Sequence, residues 1–161
     1  MPDEPNKPVG IASRIAELSR ADAGYVILAV ALTDQKLETL ILAYMPNLSD
    51  ANAKMLFSYR GPLGRLAHKM DYAYALGLIE DQTYEDLKVL NQLRNTFAHP
   101  RGFLHFNSPD VEKVFKMFVG WRSGCDTKAL FDEVVSRAVR GMSAKTDELV
   151  YAQTIRPGTS G

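Results

Sequence analysis

The sequence predicts an all-α, single-domain bundle of about six to seven helices, on three observations. Apolar residues recur through the body at helical spacing. The prolines of the body, Pro46, Pro62, Pro100 and Pro109, each fall where a helix should start or stop. No alternating β pattern competes, apart from the short stretch Gly102 to Phe106. A length of 161 residues fits one domain.

The elements follow in order. Residues 1–10 hold three prolines among polar neighbours and are expected to be a disordered lead-in. A short helix is expected over Ile11–Ser19 and a long one over Asp22–Tyr44, the latter apolar on all sides from Ala23 to Leu32. That pattern marks burial in the core or at a subunit contact. Ser49 can cap a short helix to about Ser58, and Gly61–Pro62 should open the next, with Pro62 at its first position, running to about Leu78. Thr83 is expected to cap a helix reaching His99, where Pro100 stops it, with Asp86 in the first turn favouring the amide dipoles. Ser108–Pro109–Asp110 starts a helix to about Arg122, and Asp126 caps a last one toward Tyr151. The domain therefore spans 11–153, with residues 154–161 a flexible tail.

Composition narrows the function classes. Hydrophobic residues at 46% and charged residues at 24% exclude disordered and collagen-like chains. Nineteen Lys and Arg balance nineteen Asp and Glu, which leaves no bulk attraction to DNA or an anionic membrane. The single cysteine, Cys125, excludes an intrachain disulfide framework and a multi-cysteine zinc ribbon. The longest apolar run, Ala23–Leu32, is half the length of a membrane span, and no signal-peptide pattern opens the chain, so a cytoplasmic protein is expected.

The neutral total hides a segregation. Ala51–Met70 holds Lys54, Arg60, Arg65 and Lys69 with no carboxylate, and Leu87–Pro109 holds Lys88, Arg94 and Arg101 with none, plus His99 and His105. If the two windows pack together they form a local basic surface. A solvated helix face is the bland reading; a phosphate- or RNA-contacting patch is the sharp one. Contact candidates are Arg60, Arg65, Lys69, Arg101 and His105. Arg65, His68, Lys69 and Tyr72 share one helical face, but no helix-turn-helix with a basic recognition helix stands out.

The stretch from Leu87 to His99 is the most informative. Leu87, Leu90, Leu93, Phe97 and Ala98 form one apolar arc, and Arg94 falls inside it. A guanidinium in a core stripe needs partners. Asn91, Asn95 and His99 run beside it at steps of four. Arg94, Asn95 and His99 can thus meet at a seam with solvent, a ligand or a second copy of the chain. The structural reading is a snorkelling arginine and a histidine satisfying helix-end carbonyls.

Other chemistry recedes. His68, His99 and His105 lack zinc-site spacing, Cys125 has no adjacent base, and no Gly-Lys-Ser/Thr loop is present. No metal and no cofactor are expected. The carboxylate pairs Glu85–Asp86 and Asp132–Glu133 are adjacent in sequence and point in different helical directions.

Arg94-Asn95-Thr96-Phe97-Ala98-His99 resembles the signature of the HEPN superfamily, which implies a HEPN-like bundle and, in nuclease members, metal-independent RNA cleavage at a site built by two protomers. That resemblance implies catalytic roles for Arg94 (phosphate charge), His99 (proton transfer) and Asn95 (orientation). A longer resemblance covers Ser58 to Phe115. Gly61-Pro62-Leu63-Gly64, Asp71 to Ile79, Leu93 to Pro100, Leu104-His105-Phe106 and Ser108-Pro109 are similar to the mannitol operon repressor family. It implies a non-enzymatic, homodimeric regulator of transcription acting through a protein partner. The alternative is a HEPN-type ribonuclease, a toxin or defence effector, with RNA as its partner. Direct sequence-specific DNA binding is not evident.

Overall fold

A computed structural model describes residues 10–98 and 103–155. Among these, six helices form and no strand: α1 (Ile11–Tyr44), α2 (Asp50–Phe57), α3 (Leu66–Ala75), α4 (Asp81–Ala98), α5 (Pro109–Phe115) and α6 (Thr127–Thr154). The expected all-α bundle is the one observed. The lead-in up to Val9 and the tail from Arg156 lie outside the described residues, as do His99, Pro100, Arg101 and Gly102.

The first two expected helices are one. α1 runs unbroken for 34 residues, about 51 Å at 1.5 Å per residue. Arg20 and Ala21 are good helix formers and offer no break. Asp22 does not cap a second helix; its Oδ2 accepts a hydrogen bond from the Phe106 backbone N–H at 3.0 Å. The apolar stretch Ala23–Leu32 is not buried on all sides either. Val26 and Val30 are in the core, whereas Ile27, Leu28 and Leu32 are exposed.

Several caps fall where the sequence places them. Ser49 Oγ accepts from the Asn52 N–H, and Asp126 Oδ1 accepts from the N–H groups of Lys128 and Ala129. Pro109 occupies the first turn of α5. Gly61–Pro62, by contrast, does not open α3, which starts at Leu66. Residues 61–65 fold back on the end of α2, with Leu63 N–H donating to Leu56 O at 3.0 Å and Gly64 N–H to Gly61 O at 3.1 Å. A Cβ on Gly61 would lie 2.3 Å from Met55 O, and one on Gly64 2.0 Å from Ser58 O. α3 ends at Ala75, short of Leu78, in a Schellman turn. Gly77, at φ 66°, donates to Tyr74 O and Leu78 to Ala73 O.

α4 starts at Asp81, two residues before the expected Thr83 cap, because Tyr84 N–H already donates to Glu80 O. This moves Asp86 from the first turn into the interior. There it is 2% exposed, accepts from Arg137 Nη2 at 2.8 Å and from Gln82 Nε2 at 3.0 Å, and joins α4 to α6. α5 stops at Phe115 and not near Arg122. Shorter-range turns follow it, and Gly120 at φ 101° redirects the chain.

α4 is central, packing on α1, α3, α5 and α6. Its Leu87, Leu90 and Leu93 meet Leu37, Leu40 and Ile41 of α1 and Phe131, Val134 and Met142 of α6 in one core. Phe106 is an aromatic hub in the α4–α5 connection, with ring centroids 5.6 Å from Phe131 and 5.9 Å from both Phe97 and Phe115. Asp22 and Thr127 hold its backbone N–H and C=O. The first turns of α1 are exposed, and Ile11, Leu18, Tyr25 and Leu32, seven residues apart, form an exposed apolar strip with Leu28 at 73% exposure.

Candidate functional site

Two positions from the acid-free windows do come together. Arg65, at the start of α3, and Arg94, in the last turns of α4, line one open cleft of about 620 Å³ walled by α1, α3 and α4. Arg94 is exposed, not embedded in the apolar stripe as the arc suggested. The buried residues of α4 are Asp86, Leu87, Val89, Leu90, Leu93 and Phe97, and Ala98 is exposed. Arg94 lies at the rim of that arc, where α1 and α3 leave a gap. Its Nη1 donates to Asn95 Oδ1 at 3.0 Å.

Asn91 and Asn95 also line the cleft, one turn apart, with Ile27 and Val30 of α1 supplying apolar wall. Asp34 and Tyr59 complete the rim. The sequence reading missed these last two. The polar residue that closes the apolar run of α1 was a signal for Asp34; for Tyr59, a lone aromatic in a turn, there was none. Neither Arg65 nor Arg94 pairs with a carboxylate among the described residues.

Lys69, expected on a contact surface, is not on one. Its side chain is buried, with Nζ donating to Glu38 Oε2 at 2.7 Å and to Asp34 Oδ1 at 3.0 Å and lying over the Phe57 ring. Leu66, Met70 and Ala73 pack beside it, so that turn of α3 faces the core. The proposed face through Arg65, His68, Lys69 and Tyr72 is therefore broken at Lys69. His68 remains exposed and donates Nδ1–H to Pro62 O at 3.0 Å. Lys88 is engaged by Glu85 at 3.0 Å, and that carboxylate raises the ammonium pKa above its ordinary value, by hydrogen bonding first and by charge second. Arg60 is exposed and stands outside the cleft lining. His105 is half-buried and shapes its own loop. Its backbone N–H donates to Ser108 Oγ, and its Nδ1 accepts from the Asn107 N–H at 3.2 Å. His99 and Arg101 lie outside the described residues.

Among the described residues no cluster of His, Cys, Asp or Glu could hold a metal ion, and no helix is long and apolar enough to cross a membrane. Cys125 is half-buried just before the Asp126 cap.

No curated protein sequence matches the chain. Its fold is similar to a chain of the X-ray structure of the MtlR–HPr complex from Escherichia coli, at a TM-score of 0.51 and 23% identity, over 86% of this chain and 94% of that one. The mannitol repressor (MtlR) family matches residues 14–123, from the second turn of α1 through α5 and every residue of the cleft. The chain belongs to the mannitol repressor family.

Proposed function

We propose that the chain is a regulatory protein that acts through a protein partner, and that it works as a homodimer. The family match across residues 14–123 carries this reading, because it takes in both the cleft and most of the exposed strip of α1. The similarly folded MtlR chain was solved in complex with HPr, which makes HPr the partner to test first. The strip Ile11, Leu18, Tyr25 and Leu32 repeats every seven residues along α1, and such a repeat suits pairing with a second copy of α1.

The ribonuclease alternative draws less support. It needs Asn95 to orient the His99 imidazole, and the Asn95 carbonyl oxygen is engaged by Arg94.

Titration of the purified full-length chain with Escherichia coli HPr by isothermal calorimetry tests the proposal. Saturable binding is the expected result, and absence of heat at high micromolar concentrations overturns it for this partner. Mixed RNA incubated with the chain in EDTA should stay intact. Cleavage that disappears in His99→Ala would install the nuclease reading instead.

A further inference from the structure

We propose that the cleft between α1, α3 and α4 binds a hydroxylated organic phosphate, meaning a sugar or sugar-alcohol phosphate. This goes beyond partner binding and does not depend on it.

The argument starts from charge. Arg65 and Arg94 reach the same cleft from different helices, both exposed and both without a carboxylate partner among the described residues. Guanidinium groups match phosphate oxygens through paired, charge-assisted hydrogen bonds. The other polar groups suit hydroxyls. Asn91 offers a carboxamide that donates and accepts, and Asn95, whose Oδ1 accepts from Arg94, keeps its amide N–H groups to donate. Asp34 commits Oδ1 to Lys69, which leaves Oδ2 as an acceptor for a hydroxyl proton. Ile27 and Val30 give the C–H faces of a carbon chain or ring an apolar wall, and the Tyr59 ring stands at the lip. The volume of about 620 Å³ is that of a small-molecule site, in the general range of about 300–1,000 Å³.

The same charges disfavour a polynucleotide. A nucleic-acid track needs a row of cations, one for each phosphate it neutralises. Here Lys69 is buried against two carboxylates, Lys88 is held by Glu85, and the Asp34 carboxylate stands in the cleft itself. One phosphate at the arginines and neutral hydroxyls at Asp34 and the asparagines satisfy the site; a second anion beside Asp34 does not.

The test is calorimetry on the full-length chain with mannitol 1-phosphate and glucose 6-phosphate as probes, and mannitol, inorganic phosphate and a single-stranded RNA dodecamer as comparisons. At least one sugar phosphate should saturate one site per chain, at least tenfold more tightly than mannitol or inorganic phosphate. Arg65→Ala and Arg94→Ala should each weaken it tenfold or more with unchanged melting temperature, since both side chains are exposed. Asn91→Ala should weaken the sugar phosphate while leaving inorganic phosphate within twofold. The proposal fails if neither sugar phosphate binds, if inorganic phosphate binds as tightly, if the arginine variants bind as the parent does, or if the RNA binds more tightly through the same arginines.

Discussion

Lys69 allows a prediction whose sign depends on which partner is removed. Its side chain is 4% exposed, while Asp34 and Glu38 are 35% and 36% exposed. Removing both carboxylates, as in D34A/E38A, strands a buried ammonium with no counter-ion. Breaking a buried pair in that way costs about 3–5 kcal/mol. The lower end applies here, about 3 kcal/mol, because water can enter where the carboxylates stood. For a chain of this size that is a fall of about 6–12 °C in Tm. Replacing the lysine is different. Lys69→Met keeps the length of the stem against Phe57 and leaves two carboxylates that already touch solvent. Their mutual repulsion, four residues apart on one helix, is worth a few tenths of a kcal/mol. Lys69→Met should therefore stay within about 1 kcal/mol of the parent, in either direction. Thermal unfolding followed by circular dichroism at matched protein concentration measures both. A D34A/E38A protein that melts with the parent, or a Lys69→Met protein that falls further than D34A/E38A, refutes the reasoning.

Three other outcomes are expected. Leu90, fully buried where α4 meets the other core helices, should cost about 2–5 kcal/mol as Leu90→Ala and more as Leu90→Asp, read by urea unfolding; an unchanged midpoint would remove it from the core. Sedimentation should give a dimer of the 17.9-kDa chain at tens of micromolar, with an interface near the usual ~1,600 Å², and L18D/L28D should convert it to a folded monomer; a monomeric parent would end the dimer proposal. Tyr25, Tyr74 and Tyr84 donate to Asp132, Asp81 and Asp71, and these hydrogen bonds, chiefly, raise the phenol pKa values above the ordinary tyrosine range. The folded values exceed the unfolded one, so the linked stability is complete below a pH of about 10 and is lost as pH rises through the raised values. Ultraviolet titration of the folded chain should show phenols ionising above the ordinary tyrosine range, a component lost in Y25F/Y74F/Y84F; no ionisation above the ordinary value would contradict it.

What the sequence disclosed tracks how local the physics is. Ser49, Pro109 and Asp126 act on the amides within their own first turns, so their roles could be read from neighbours alone. Asp22 looked like the start of a second helix, but its carboxylate takes the Phe106 N–H, 84 residues away. Asp86 and Lys69 were misplaced for the same reason. Each looked like a surface charge on its own helix, and each is buried by a partner on another, Arg137 or the Asp34–Glu38 pair. The segregation of cations did point toward Arg65 and Arg94 sharing a site. It could not show that Arg94 is exposed, nor that Asp34 lines the same cleft. Helical periodicity assigns an angle, and only packing decides whether that angle meets a neighbour or a cleft.

The two glycines of the turn before α3 have a consequence for reading other chains. Gly64 lines the cleft, and its missing Cβ leaves room for a carbonyl of Ser58 that a methyl group would strike at 2.0 Å; Gly61 is pressed against Met55 and Leu56 in the same way. Both obstacles are main chain, so no change of rotamer can relieve them. The pair therefore serves as a template mark for the shape of the rim. A side chain at either position would force the 61–65 turn and the end of α2 apart, and so change the cleft wall to which Gly64 belongs. Two absent carbons thus tell a reader which relatives could admit the same guest before any of their structures is known.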